Sequence, residues 1–424
     1  MAHFDVAVVG AGLGGVTLAS ILQKQGVKVT VYERETSSVS RNQGGTLDIH
    51  AESGQRALEL AGLTQAFLKI AHPEADEMKI IDQNGNVVYE DSDDTEGGPK
   101  RGGPPGGGSP GDGPLHAGPP GDGPPGRDRP EVDRGELRQI LLDTLSPGTI
   151  KWGHTLSYCK IVADKVELQF SEPELTTTVD ILVGADGTWS RVRSILSSAK
   201  PEYTGVTFVD IQLTDVDESL PDLAKLVGKG SLCALGDNRG LIAQRNIGSK
   251  VRVYVSLRSP ITWGEESGIT DLVKAGKFSD VQALILSEFP DWSPSVLKLV
   301  SSCDVQTSTF AVRPLFSLPS THSWKTNGRV TLIGDAAHVM SPFAGEGANL
   351  AMLDGAELAE AIANSKDEST LKANVEAFEK EMLARSKDAS EESLRNQSLF
   401  IGENGAKAAA DLMNFYISQG PPPG

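Results

Sequence analysis

Gly10, Gly12 and Gly15 stand in a G-x-G-x-x-G spacing directly after the apolar run Val6, Ala7, Val8 and Val9. The chemistry this spacing suits is the holding of a pyrophosphate. Gly10 can turn tightly, Gly12 has no side chain to keep a phosphate off the backbone, and Gly15 lets the next helix lie close to the strand. The helix start then offers unpaired N–H groups and a positive dipole end. Glu33 follows Gly15 by 18 residues, at the end of a second apolar run, where a carboxylate can accept hydrogen bonds from an adenosine ribose. Arg34 is its neighbour. Arg41 lies in the following loop and faces either a cofactor phosphate or solvent. A helix beginning at Asp133 carries Arg134 and Arg138 on one face. Like charges so spaced repel by a few tenths of a kcal/mol, which favours a nearby anion over a solvated face for at least one of them. Asp186 and Ser190 can tie a later turn together, with Arg193 reaching phosphate from the helix beyond. No Ser-His-Asp set and no metal-ligand cluster can be picked out.

These residues need a strand–turn–helix–strand unit to position them. The pattern predicts a strand, a helix over 15–25 and a strand over 28–32, both strands apolar enough for burial on two faces of a parallel sheet. Residues 53–61 read as a helix. Residues 78–89 read as a hairpin around Asn84-Gly85, and a second domain begins near residue 73. In 97–130, 23 of 34 residues are Gly or Pro, too few apolar groups to offset ordering entropy, so a disordered insert is expected. Asp133 is the predicted N-cap of the helix bearing Leu137, Leu141 and Leu145. Residues 150–158 and 165–170 read as antiparallel strands, and 203–310 as an antiparallel sheet with helices near 271–275 and 281–288. A strand ending at Gly334-Asp335 leads through a Gly-rich loop into a helix from about Gly347. Helices follow over 369–393 and 406–417. The fold class expected is α/β: a Rossmann-like dinucleotide-binding domain (1–72, 131–200, 304–368), a mostly antiparallel substrate domain (73–96, 201–303) and C-terminal helices (369–418).

The net charge of −18, from 39 basic and 57 acidic residues, argues against nucleic acid or an anionic membrane as partner. Three distant cysteines without C-x-x-C suit a reducing compartment. The first strand leaves no room for a signal peptide, and no apolar run reaches the ~20 residues that span a bilayer. A soluble, cytoplasmic monomer is expected.

Three motifs now stand in order: G-x-G-x-x-G at 10–15, Asp186-Gly187-x-x-Ser190-x-x-Arg193, and Gly334-Asp335-Ala-Ala-His338-x-x-x-Pro342-x-x-Gly345-x-Gly347-x-Asn349. Together they resemble the single-component FAD-dependent aromatic hydroxylases, the p-hydroxybenzoate hydroxylase-like family. Gly44-Gly-Thr-Leu-Asp48-Ile-His50 and Asp133-Arg134-Gly-Glu-Leu-Arg138 look most like the tetracycline-inactivating flavin monooxygenases. The resemblance makes FAD the dinucleotide and NAD(P)H a transient co-substrate. It implies that Asp335 bonds the ribityl chain, that Arg134 sits near the flavin and Arg138 near the phosphates, and that Asp48 and Asp186 join the cofactor site. Pro342, Gly345, Gly347, Ala348 and Asn349 would present backbone to the flavin ring, with His338 a packing residue. It further implies hydride transfer to FAD, O2 addition to a C4a-hydroperoxide, and oxygen transfer to a polycyclic or phenolic small molecule. Gln212, Arg239 and Arg252, with Phe343 and Gly345, fall where such relatives grip substrate, although Arg252 stands where a histidine is expected; each polar one has the alternative of a solvated strand position. Rival functions are a flavin halogenase, disfavoured because all five tryptophans are isolated, and a non-oxygenating isomerase, cyclase or redox-sensing flavoprotein.

Overall fold

A computed structural model describes residues 4–40, 44–72, 75, 77–91, 129–304 and 310–419. Arg41 and nearly all of the Gly/Pro-rich segment lie outside the described residues.

Five parallel strands form one sheet in the order Val330–Leu332, Ile181–Gly184, Asp5–Val9, Lys28–Glu33, Ile150–Trp152. Val6, Ala7 and Val8 are wholly buried because both faces are covered. Helix Leu13–Lys24 lies on one side. A three-stranded antiparallel sheet, Thr155–Val162, Lys165–Glu172 and Glu174–Val179, joins the same core through Leu156, Leu168 and Phe170. The run expected as one strand over 150–158 is therefore two. Gly153, at φ +71°, breaks it, and the halves enter different sheets.

The second large sheet has seven strands, in the order Phe310–Ser317, Glu202–Leu213, Lys250–Arg258, Arg239–Asn246, Ser231–Gly236, Met78–Asp82, Val87–Asp91. All neighbours are antiparallel except Ser231–Gly236 with Met78–Asp82. The last two strands are the hairpin expected around Asn84-Gly85. Strand Phe310–Ser317 belongs to this sheet, and Pro314 is tolerated because the strand is an edge. Side-chain alternation gives the sheet two unlike faces. Val209, Ile211, Val251, Val253 and Val255 pack on the back against Ile285, Phe289 and Leu299 of the helical layer. Phe208, Asp210, Gln212, Gln244, Arg252 and Tyr254 occupy the front.

Helix Glu346–Ala363 returns to the first sheet and crosses helix Leu13–Lys24 at close range. A Cβ at Gly14 would meet the Ala351 carbonyl oxygen at 2.5 Å, and one at Gly355 the Gly14 oxygen at 2.4 Å. Helix Glu368–Phe400 then spans both sheets. Asn396 donates to the Phe343 carbonyl at 3.1 Å and Gln397 to the Thr204 carbonyl at 3.0 Å, so one helix ties the loop before Gly345 to the second sheet. Among the described residues no helix is long and apolar enough to cross a membrane.

Candidate functional site

The glycine loop is built as its spacing requires. Gly10 takes φ +108°, and a Cβ there would lie 2.2 Å from the Ala185 oxygen. A Cβ at Gly15 would lie 2.2 Å from the Gly10 oxygen. Gly12 differs, since a Cβ there would meet nothing within 4 Å. Helix Leu13–Lys24 starts behind it with no side chain capping its amides. Glu33 is buried at the strand end, accepting from the Ala11 amide at 2.7 Å and the Glu35 amide at 2.9 Å. Arg138 is not on a solvated face. It is 4% exposed, and its Nε donates to the Ala11 carbonyl at 2.8 Å. Loop and helix are thus held from both sides. Arg134 is exposed, with its stem beside Gly44. Arg34 is exposed.

The second turn is more self-contained than expected. Asp186 accepts from Ser190 Oγ at 2.5 Å and the Arg191 amide at 2.7 Å. Arg193 is 4% exposed and donates to the Ala336 carbonyl at 2.9 Å and the Thr188 carbonyl at 2.7 Å. Its guanidinium joins the second turn to the third and does not reach out for phosphate.

In the third turn Asp335 is exposed at the start of helix Asp335–His338. His338 points inward, donating to Asp354 at 2.6 Å; Asp354 also accepts from Arg385 at 2.8 Å and the Gly334 amide at 2.9 Å. His338 is the packing residue expected. Gly345, at φ +70°, precedes helix Glu346–Ala363, whose start also lacks a side-chain cap, and a Cβ at Gly347 would meet nothing within 4 Å. Pro342 is exposed and Ala348 buried. Asn349 is wholly buried, and its side chain is committed elsewhere: Nδ2 donates to the Asp48 carbonyl at 2.8 Å, while Oδ1 accepts from the His50 amide at 3.0 Å.

Sequence reasoning assigned no role to His50, Glu346, Asp210 or Arg313. His50 Nε2 donates to Asp48 Oδ2 at 2.8 Å, and its Nδ1 lies 3.2 Å from Glu346 Oε1, an ion-pair distance off the line of a hydrogen bond. Burial pushes this imidazole down, but the Asp48 and Glu346 carboxylates outweigh it and hold its pKa up at about 9. On the sheet, Arg252 and Asp210 form a buried two-point ion pair, with Arg252 Nε donating to Asp210 Oδ1 at 2.8 Å. Arg313 Nε adds a contact to Asp210 at 3.2 Å while its side chain stays 55% exposed. Gln212 is directly opposite Arg252 and half-buried. Phe343 lies edge-on to Phe208 at 5.9 Å between ring centres.

Arg239 does not share this face. It pairs with Leu257 and shares the back face with Leu241, where its guanidinium donates to the Glu288 carbonyl and lies 6.0 Å from the Phe289 ring centre. The expectation of a substrate contact there is corrected by strand register. The crevice that remains holds a cavity of about 660 Å³, lined on the first domain by Gly44, Gly135 and Arg138 and on the sheet by Gln212, Lys250 and Arg252.

Two uncapped helix starts, each beside an open glycine, on a parallel-sheet domain define a dinucleotide-binding fold, joined here to a seven-stranded sheet with one polar face. A sequence profile of the FAD binding domain matches residues 3–113 and 305–393. The monooxygenase asqM of Emericella nidulans is 30% identical, over 97% of this chain and 98% of that protein. Klebsiella pneumoniae HpxO, solved with FAD and uric acid, has a TM-score of 0.70 at 18% identity, over 98% of this chain and 93% of that one. The tetracycline destructase Tet(51) has a TM-score of 0.63 at 18% identity and spans 100% of both chains. The chain belongs to the family of FAD-dependent monooxygenases. Its residues fit that cofactor: the space before Gly12 and Gly347 is open, both helix starts have amides to spare, and Asp335 presents a carboxylate to solvent.

Proposed function

We propose that this protein uses NAD(P)H and O2 to hydroxylate a polycyclic or phenolic small molecule. The observation that carries the reading is the pair of uncapped helix starts, Leu13 and Glu346, each beside a glycine with open space where a side chain would stand. When bound, FAD supplies the redox chemistry that passes electrons from NAD(P)H to O2 and one oxygen to the substrate. The chain's own groups do the holding. The amides around Gly12 receive the pyrophosphate, with Glu33 and Arg138 bracing the loop from behind. Asp335 accepts from ribityl hydroxyls. The amides of 345–348 receive the oxygen-bearing edge of the flavin ring, where preorganised donors favour developing negative charge. Gln212 and Arg313 orient the substrate over an aromatic floor of Phe208 and Phe343. The Arg252–Asp210 pair keeps that face rigid.

The test is to purify the protein, quantify bound FAD by absorbance, and follow NAD(P)H and O2 consumption with phenols and, separately, tetracyclines. Ligand-stimulated, oxygen-dependent oxidation with a hydroxylated product supports the reading. A yellow protein that NAD(P)H does not reduce overturns it in favour of a non-oxygenating flavoprotein. The tetracycline arm decides whether the likeness to Tet(51) extends to substrate.

A further inference from the structure

The binding scheme above leaves His50 without a task, yet its position is tightly specified. The imidazole is 0% exposed. Its ring nitrogens face Asp48 at 2.8 Å and Glu346 at 3.2 Å, and its backbone amide is fixed by Asn349 at 3.0 Å. Both carboxylates border the helix start. Glu346 is the first residue of its helix, and a Cβ at Gly345 would lie 3.1 Å from both Asp48 oxygens. The amides of 345–348 therefore adjoin a cluster of two carboxylates and one imidazole.

The balance of charge in that cluster matters because the helix start is a weak cation. A macrodipole amounts to roughly +0.5 of a charge at the N-terminus. Two uncompensated carboxylates beside it would reverse the sign of the local potential. With His50 protonated, the cluster falls from two negative charges to one. The side chains of His50 and Glu346 are 0% and 12% exposed, so water screens their pairing little, while Asp48, at 36%, is screened more.

We propose that His50 is a charge-setting residue for the flavin: by neutralising one of the two carboxylates at the helix start, it lets the site bind reduced, anionic FAD more tightly than it otherwise would. The inference rests on the reading that the flavin edge meets the amides of 345–348. The effect acts through Asp48 and Glu346; His50 need not touch the cofactor. At neutral pH the imidazole is charged, since the two carboxylates hold its pKa at about 9 against the pull of burial.

The test compares the flavin midpoint potential of wild type, His50→Gln and Glu346→Gln, each loaded with FAD and equilibrated with a redox dye at neutral pH. His50→Gln makes the cluster more negative, so the ratio of reduced to oxidised affinity falls, by tenfold or more. That is about 30 mV downward for a two-electron couple. Glu346→Gln removes a negative charge, so its potential moves upward. A purely structural role would loosen FAD in both variants without driving the potentials in opposite directions. Potentials that coincide with wild type, or that move the same way, overturn the proposal. If His50→Gln does not fold, His50→Asn replaces it: a lower potential supports the proposal, and an unchanged or higher one overturns it. Failure of the wild-type protein to hold FAD sinks the functional reading itself, a result visible in the absorbance spectrum before any potential is measured.

Discussion

Gly12 and Gly15 belong to one motif, yet substitutions at them should fail in different ways. At Gly15 an added Cβ would sit 2.2 Å from the Gly10 carbonyl oxygen, which is backbone and cannot swing aside. Overpacking of this kind costs roughly 1–3 kcal/mol, and a fixed backbone atom puts the site at the upper end. Replacing glycine inside a helix returns about 1 kcal/mol of propensity. Gly15→Ala should therefore lose about 2 kcal/mol of apoprotein stability. Gly12 has φ −74° and ψ 176°, allowed for any residue, with no atom within 4 Å of an added Cβ. Gly12→Val should leave apoprotein stability within about 0.5 kcal/mol, as surface changes without strain usually do. Its cost appears in FAD binding. Losing one or two charge-assisted hydrogen bonds at about 1.5–3 kcal/mol each weakens binding by roughly tenfold to ten-thousandfold. Urea denaturation of the apoprotein and flavin-fluorescence titration separate the two quantities. A destabilised Gly12→Val apoprotein, or one that binds FAD like wild type, would refute the division of labour.

Other outcomes follow from the same structure. The raised His50 pKa means its imidazolium stabilises the fold fully below the unfolded value of about 6.5 and loses that contribution as pH rises through about 9. The amount is roughly 3 kcal/mol, so the stability gap between wild type and His50→Gln should shrink between pH 6 and pH 9.5; a constant gap refutes it. Asp354→Ala strands His338 and Arg385 in the interior and should cost about 3–5 kcal/mol, read as a lower denaturation midpoint with an unchanged slope. Arg239→Gln should lower stability by about 1 kcal/mol and leave the substrate KM alone. Arg313→Gln should raise KM with little loss of stability. A KM effect confined to Arg239 would show the register to be misread.

What the sequence made legible was local. The glycine turn, the Asn84-Gly85 hairpin and the Asp133 cap each depend on residues within a few positions of one another, and Asp133 does accept from the Gly135 amide at 2.8 Å. Registers across strands were not local. Arg239 and Arg252 look equivalent as strand arginines, but alternation puts them on opposite faces, and a shift of one residue exchanges the two. The break at Gly153 was hidden because the residues on either side both suit strands, and only the sheet each half joins tells them apart. The role of His50 escaped notice because two of its partners, Glu346 and Asn349, lie some 300 residues away in sequence. A lone histidine in a loop carries no such signal. Asp186 and Arg193 were legible as a turn, whereas the commitment of Arg193 to backbone carbonyls became visible only once Ala336 was placed.

The glycine-to-glycine crossing of the opening helix with helix Glu346–Ala363 has a consequence for synthesis. Strand Asp5–Val9 and helix Leu13–Lys24 are made long before the segments they pack against. Strand Val330–Leu332 closes the parallel sheet's edge, and Gly355 supplies the surface on which Gly14 rests. A nascent chain must keep this apolar strand and helix waiting while the roughly 300 residues up to strand Val330–Leu332 and helix Glu346–Ala363 emerge, a span in which exposed strand edges invite aggregation. Production should therefore respond more to chaperone supply during translation than to FAD supply.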